Sequence, residues 1–231
     1  MSSQLPLRFR LEGHTSLDDY VGAAAQRLVD LKQLIIVFGE PGSGKSHLLQ
    51  GLCHQMVKSS GLALYLPMLT SLEPYILQGL ENSDLVCLDD IDKILATPGW
   101  QPSLFHLINA CGDLGVKLVL SSSKQVISLP IELPDLKSRM KGAYLLSTDR
   151  LSDADKLEVI RIKSMRRGFE MEADVCSFIL SRSKRDMHHL ARLVEQLDEA
   201  TLRQQAKVTI PSVSYTHLRA HETREERGWG G

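Results

Sequence analysis

Between the apolar run Leu34-Ile35-Ile36-Val37-Phe38 and the apolar-periodic run from Lys45 to Met56 stands Gly39-Glu40-Pro41-Gly42-Ser43-Gly44-Lys45-Ser46. The spacing G-x-x-x-x-G-K-S lets backbone N–H groups converge on phosphate oxygens, because glycine permits the turn and carries no side chain to block the approach. The helix that follows adds its positive N-terminal end. Lys45 is placed to reach the β- and γ-phosphates, and the Ser46 hydroxyl to ligate magnesium. A glycine-rich turn can arise by chance; here strand, loop and helix occur in the order that a phosphate-binding loop requires.

Further apolar runs at Leu62–Leu66, Asp84–Leu88, Val116–Leu120 and Ala143–Leu146 read as buried strands, and helical periodicity separates most of them. A helix is expected from Val21 to Val29, a weaker one around Ser71–Leu80, and another carrying Leu104, Leu107, Ile108 and Cys111. Trp100, in the loop before that helix, reads as a packed or exposed anchor. Such alternation predicts a doubly wound parallel sheet over the first 147 residues.

The run ending at Leu88 closes on Asp89-Asp90. At the C-terminal edge of a parallel sheet, Asp89 would hold magnesium through its water shell and Asp90 could polarise an attacking water. The plainer reading is a strand running into a turn. Ser121-Ser122-Ser123 ends the next strand and faces the γ-phosphate if that strand lies between the other two. Leu136-Lys137-Ser138-Arg139-Met140 reads as a short basic helix end, whose arginine by itself is a solvated charge.

The pattern then becomes all-helical. Ser152-Asp153-Ala154-Asp155 resembles a capping box, Gly168 closes that helix, and two more follow, around Val175–Ile179 and Met187–Leu197. His188 and His189 lack further ligands at zinc spacing, and Arg166-Arg167 reads as a solvated helix end. From Tyr215 the chain is rich in His, Arg, Glu and Gly, which predicts disorder and has the look of out-of-frame sequence.

A net charge of −1 over 231 residues leaves no broad basic face for sequence-independent nucleic-acid binding. Cys53, Cys87, Cys111 and Cys176 are too scattered for a zinc site or a disulfide framework, which predicts buried thiols in a reducing compartment. With neither a signal-peptide pattern nor a membrane-length apolar run, the expected location is the cytoplasm. At the start, Gln4-Leu5-Pro6-Leu7-Arg8-Phe9 alternates in a way that suits either an edge strand or an extended segment docking in an apolar pocket.

The strings Gly42–Leu49 (GSGKSHLL), Leu85–Ile91 (LVCLDDI), Leu133–Arg139 (LPDLKSR), Leu151–Leu157 (LSDADKL) and Lys207–Pro211 (KVTIP) occur in this order. Together they resemble the DnaA-related AAA+ family, over roughly Gln4 to Val213, and most closely its short Hda-type branch. The resemblance implies an α/β P-loop AAA+ fold with a helical lid. It divides the chain into a clamp-binding segment (1–13), the nucleotide-binding domain (14–147), the lid (148–213) and a tail (214–231).

It implies bound ADP or ATP with Mg2+. The nucleotide contacts would be Gly39, Pro41, Gly42, Ser43, Gly44, Lys45, Ser46 and His47, with Tyr20 and Val21 near adenine, Ser123 at the sensor strand, and Arg185 and His188 in the lid. Ser46 and Asp89 would serve the metal and Asp90 catalysis. Arg139 matches an arginine finger that acts on a neighbour's nucleotide, which lifts it above a solvated charge.

Gln4, Leu5, Leu7 and Phe9 match a motif for the DNA polymerase III sliding clamp, and through it for DNA. DnaA-type initiators continue into a helix-turn-helix domain that this sequence has no room for. The implied role is negative control of replication initiation, by promoting hydrolysis of ATP on a DnaA-type initiator; a helicase-loader-like ATPase and a non-catalytic adaptor are the alternatives. No membrane partner is implied, and a homo-oligomer is left open. Two positions depart from the pattern: Ser123 stands where the family commonly has Asp, and His188 where the lid has Arg, with Arg185 nearly a turn earlier. Both departures lower the expectation of intrinsic hydrolysis and leave nucleotide binding in place.

Overall fold

The computed structural model describes residues 15–31, 33–148, 151–182 and 187–204, with the side chains of 182, 188, 189, 191 and 199–204 left out. The clamp-motif segment Gln4–Phe9, Arg185 and the tail lie outside these residues. After Arg150 the chain divides into two compact units.

In the first unit five strands, β1 (Leu34–Phe38), β2 (Ala63–Leu66), β3 (Leu85–Leu88), β4 (Lys117–Ser122) and β5 (Tyr144–Ser147), form one sheet in the order β2-β3-β4-β1-β5, all neighbours parallel. Parallel pairing demands crossovers, and these put helices on both faces. α1 (Ala24–Asp30) and α2 (Lys45–Lys58) serve one face; α3 (Trp100–Leu114) and α4 (Pro134–Lys141) serve the other.

The two-residue period of the strands sorts their side chains accordingly. Ile35, Val37, Leu85, Cys87 and Val119 pack with Leu28, Leu48, Leu49 and Leu52. Ile36, Val86, Leu88, Leu118 and Leu120 pack with Trp100, Leu104, Leu136 and Met140. Both faces are buried, which is why these strands read as continuous apolar runs and not as alternating ones. Trp100 is thus a core residue at the start of α3, only 2% exposed. All four cysteines are buried free thiols, and burial pushes Cys111 up to about 11 and Cys87 well above its ordinary value.

Two expectations change. The weak helix around Ser71–Leu80 is instead three 3-10 turns, Leu69–Ser71, Pro74–Leu77 and Leu80–Asn82. Pro74 supplies no N–H to a continuous helix, and Gly79, at φ +82°, reverses the chain between the second and third turns. The first helix begins at Ala24 and not at Val21, because Gly22 at φ +131° lies outside helical backbone.

The second unit holds α5 (Asp153–Arg166), α6 (Ala173–Arg182) and α7 (Met187–Gln204), which share a core including Ile160, Val175, Ile179, Leu190, Val194 and Leu197. Ser152 caps α5 through a reciprocal capping box with Asp155, and Gly168 at φ +82° ends it. Arg167 is not merely a solvated charge. It donates to Glu195 at 3.1 Å and Asp198 at 3.3 Å, tying the end of α5 to α7.

Leu104 is fully buried between sheet and α4. Leu104→Ala is expected to cost about 2–5 kcal/mol, as truncations of buried leucines do. Denaturant unfolding followed by fluorescence of Trp100, which shares that core, reads the loss directly.

Candidate nucleotide-binding site

The C-terminal ends of β1, β3, β4 and β5 meet on one side of the sheet, where open α/β sheets bind ligands. The loop after β1 carries Gly42 at φ +80° and Gly44 at φ +87° immediately before α2. A Cβ on Gly39 would overlap the Thr148 hydroxyl, so this position needs glycine for close approach rather than for its dihedral angles. The Ser43 and Thr148 hydroxyls share a buried hydrogen bond of 2.6 Å, which fastens the loop to the residue following β5.

Lys45 is 7% exposed, and its ammonium donates to the carbonyls of Gly39 at 2.8 Å and Glu40 at 2.9 Å. Desolvation lowers its pKa, although Asp90, Asp89 and Asp92 act the other way. The cation therefore sits inside the loop among acids, where an entering phosphate would compete for it.

Register explains what holds Asp89. Tyr65 pairs with Cys87, and Leu120 with Leu88, so Tyr65 and Ser121 flank Asp89 on the α2 face of the sheet. The Tyr65 hydroxyl donates to Oδ2 of Asp89 at 2.6 Å, and the Ser121 hydroxyl donates to Oδ1. Gln50 Nε2 donates to the Tyr65 oxygen at 3.2 Å, and the Ser46 side chain lies near it. Burial and the Asp89 charge push the Tyr65 phenol far above its ordinary value, so it remains a donor.

Ser46 and Asp89 thus converge on one phenol, and both offer the oxygen atoms that Mg2+ prefers. Each carboxylate oxygen retains a lone pair after its hydrogen bond. These are the two residues that would hold a magnesium ion beside the bound phosphates.

Asp90 is placed differently. Its backbone is left-handed at φ +55°, its N–H donates to Ser121 Oγ at 2.8 Å, and its carboxylate is paired with Lys93 at 2.6 Å in a half-exposed position. Ser123 lines a cleft of about 320 Å³ together with Phe38, Gly39, Glu40, Gln125, Ser147 and Thr148. Both its N–H and its hydroxyl donate to Asp92.

Burial acts to raise Asp92, but these hydrogen bonds outweigh it and hold the carboxyl below its ordinary value. The end of β4 therefore stands beside a carboxylate, that of Asp92, which comes from the turn after β3.

Tyr20 lies over the loop, its ring against Gly44 and its hydroxyl 3.5 Å from the Ser43 carbonyl. The neighbouring His47 ring is 6.3 Å away and contacts the Ser16 carbonyl at 3.0 Å, while His54 meets the Thr15 carbonyl at 2.6 Å. His47 therefore holds the segment that presents Tyr20 and half-buried Val21.

Arg139 lies on α4, exposed, and has no side-chain hydrogen bond or ion pair among the described residues. Arg185 and the His188 side chain, expected to contact nucleotide from the lid, lie outside what is described. No group of three or more His, Cys, Asp or Glu suited to a metal occurs among the described residues. None of the described helices is long and apolar enough to cross a membrane.

Sequence reading missed Tyr65, the role of Ser121 as a donor to Asp89, and Asp92. The first two were signalled by the period of two, since Cys87/Asp89 and Val119/Ser121 each share a face.

Comparison with known proteins places this geometry. The family described as "Hda, lid domain" matches residues 153–216, and one described as "RNA helicase" matches residues 35–124. An uncharacterized protein of Haemophilus influenzae is 32% identical over 225 residues, spanning 92% of this chain and 97% of its own.

Domain III of the Thermotoga maritima replication initiation protein DnaA superposes with a TM-score of 0.77 at 17% identity, covering 90% of this chain and 97% of that one. AMPPCP-bound DnaA from Aquifex aeolicus gives 0.67 at 18% identity, covering 93% and 71%. The Thermotoga maritima RuvB branch migration motor gives 0.64 at 16% identity, covering 87% and 70%. The structural likenesses show the fold, an α/β P-loop AAA+ fold.

Two predictions follow from the acids. Tyr65→Phe removes a hydrogen bond to a buried charge and should cost about 1.5–3 kcal/mol of stability. It should also raise the Mg2+ concentration needed for half-maximal retention of a fluorescent ADP; no change in either quantity would show that Tyr65 does not hold Asp89.

Because the folded pKa of Asp92 is depressed, its stabilisation is present above its ordinary value of 3.8 and is lost as pH falls through the folded value. Ser123→Ala should therefore be less stable than wild type near neutral pH, with the gap closing in acid, as denaturation across a pH series will read.

Proposed function

The chain belongs to the DnaA-related AAA+ family and is Hda-like in its lid, and from that premise we propose that it restrains replication initiation by driving hydrolysis of ATP bound to a DnaA-type initiator. The observation that carries this reading is Arg139, a guanidinium on the exposed face of α4 whose side chain has no partner of its own among the described residues. Placed against a neighbour's nucleotide, an arginine stabilises the charge that develops on the transferring phosphoryl group, an effect worth about 10³–10⁵ in rate. Water attacks the γ-phosphorus, the bond to the β-γ bridging oxygen breaks, and ADP and phosphate leave the initiator inactive.

The protein's own site has a different task. Asp90, the residue suited to polarising water, is engaged by Lys93, and the Ser123 hydroxyl is committed to Asp92. Nucleotide held by the P-loop, with Mg2+ at Ser46 and Asp89, would brace the AAA+ surface that meets the initiator. Resident ADP serves this as well as ATP does. Gln4, Leu5, Leu7 and Phe9 would dock the protein on the DNA-loaded sliding clamp, which concentrates it where initiators act without a DNA-binding face of its own.

The deciding experiment is single-turnover hydrolysis of labelled ATP preloaded on the initiator, with and without clamp-loaded DNA. Wild type should accelerate hydrolysis in a clamp-dependent way, Arg139→Ala should remove about 10³-fold or more of that acceleration, and Gln4→Ala should abolish its dependence on the clamp. Hydrolysis of free ATP by this protein alone, lost in Lys45→Ala and without effect on the initiator, would instead identify a self-contained ATPase.

A further inference from the structure

Gln101, in the first turn of α3, uses both ends of its amide. Its Oε1 accepts from the backbone N–H groups of Glu132 and Leu133, each at 2.9 Å. Its Nε2 donates to the carbonyls of Leu95 at 2.7 Å and Pro130 at 3.0 Å. One half-buried side chain thus satisfies three backbone groups of the segment Pro130–Leu133, which leads into α4, and one in the loop that follows the Asp89-Asp90 strand end.

The sequence of that lead-in explains why an outside clamp is needed. Leu133 is the N-cap of α4 and provides no side-chain hydrogen bond, and Pro134 at the first helical position has no N–H to offer. α4 is only eight residues long, too short to define its own direction. Its buried anchors, Leu136 and Met140, fix the face turned to the core, but apolar contacts tolerate sliding along the axis. Three directional hydrogen bonds at its entrance, with a fourth that ties the same amide to the loop at Leu95, do not. The only charged residue that α4 exposes in the stretch between these two anchors besides Lys137 is Arg139.

We infer that Gln101 is the positioning residue for Arg139: it fixes the entry and axial setting of α4, and so where the guanidinium stands when a partner docks. This rests on the function proposed above. No shorter amide could span the same four groups, and a carboxylate would keep the two acceptor bonds while setting negative charge against the carbonyls of Leu95 and Pro130. Gln101 touches no reacting atom; it acts through the helix.

The test uses the full-length protein, with single-turnover hydrolysis on an ATP-loaded DnaA-type initiator and hydrogen exchange of the free protein read in parallel. Gln101→Ala should lower the rate constant at saturating protein by about 10–100-fold, the scale of a misplaced catalytic group. The concentration for half-maximal effect and the protein's own ADP affinity should stay within about twofold of wild type. Amide exchange should quicken in residues 130–141 and not in β1 or α2. Gln101→Glu, which retains the two acceptor bonds, should fall between wild type and alanine in both readouts.

Unchanged exchange in residues 130–141, an unchanged rate constant, or faster exchange across the whole domain in both variants would overturn the inference. If wild type itself fails to accelerate the initiator's hydrolysis, the proposed function falls and the inference with it. A working wild type beside an indifferent Gln101→Ala would overturn the inference alone.

Discussion

The buried carboxylate of Asp89 is the constraint around which the rest of the site is arranged. A charge at 5% exposure is costly unless paired or fully hydrogen-bonded. Here the donors come from the strands on either side, Tyr65 from β2 and Ser121 from β4, so the requirement also fixes register across three strands. A slip of one residue would turn Tyr65 and Ser121 to the opposite face and leave the charge without donors. Stability and nucleotide chemistry thus impose the same condition on β2, β3 and β4.

That condition propagates outward. Ser121 accepts from the Asp90 N–H while donating to Asp89, and the left-handed turn at Asp90 carries Asp92 to the end of β4, where Ser123 receives it. The acids lie within electrostatic reach of Lys45, whose ammonium is embedded in the loop. Most polar groups at the sheet edge therefore bond to one another. Such an arrangement resists rearrangement, which suits the task proposed for it, to hold nucleotide and stay in shape.

The fold was legible to a large degree because parallel strands buried on both faces must be apolar throughout, and Leu34–Phe38, Asp84–Leu88 and Val116–Leu120 declare themselves. The P-loop was legible because its glycines answer a local demand. What escaped is long-range: Tyr65 lies 24 residues from Asp89 and Ser121 lies 32 residues from it, and only strand order brings them together. Gln101 escaped for the same reason. A glutamine near a helix start has many solvated uses, and nothing nearby in sequence reveals that its partners are Leu95, Pro130, Glu132 and Leu133. The segment around Ser71–Leu80 misled because apolar spacing survives in consecutive 3-10 turns, while Pro74 and Gly79 decide the backbone.

An exposed arginine and a braced pocket make sense together only if rigidity in one serves placement of the other. The loop that leaves Asp89 and Asp90 passes through Ile91 and Ile94, both fully buried, to Leu95, whose carbonyl accepts from Gln101. Gln101 in turn fixes the entrance to α4. A continuous path of packed and hydrogen-bonded groups therefore runs from the acids beside the P-loop to the helix bearing Arg139, its one long side chain, Gln101, held at both ends of its amide. On the function proposed here, nucleotide bound in this protein's own pocket would act less as a substrate than as a strut. Whatever stiffens the Asp89 cluster would sharpen the position of a guanidinium that works in another protein's active site.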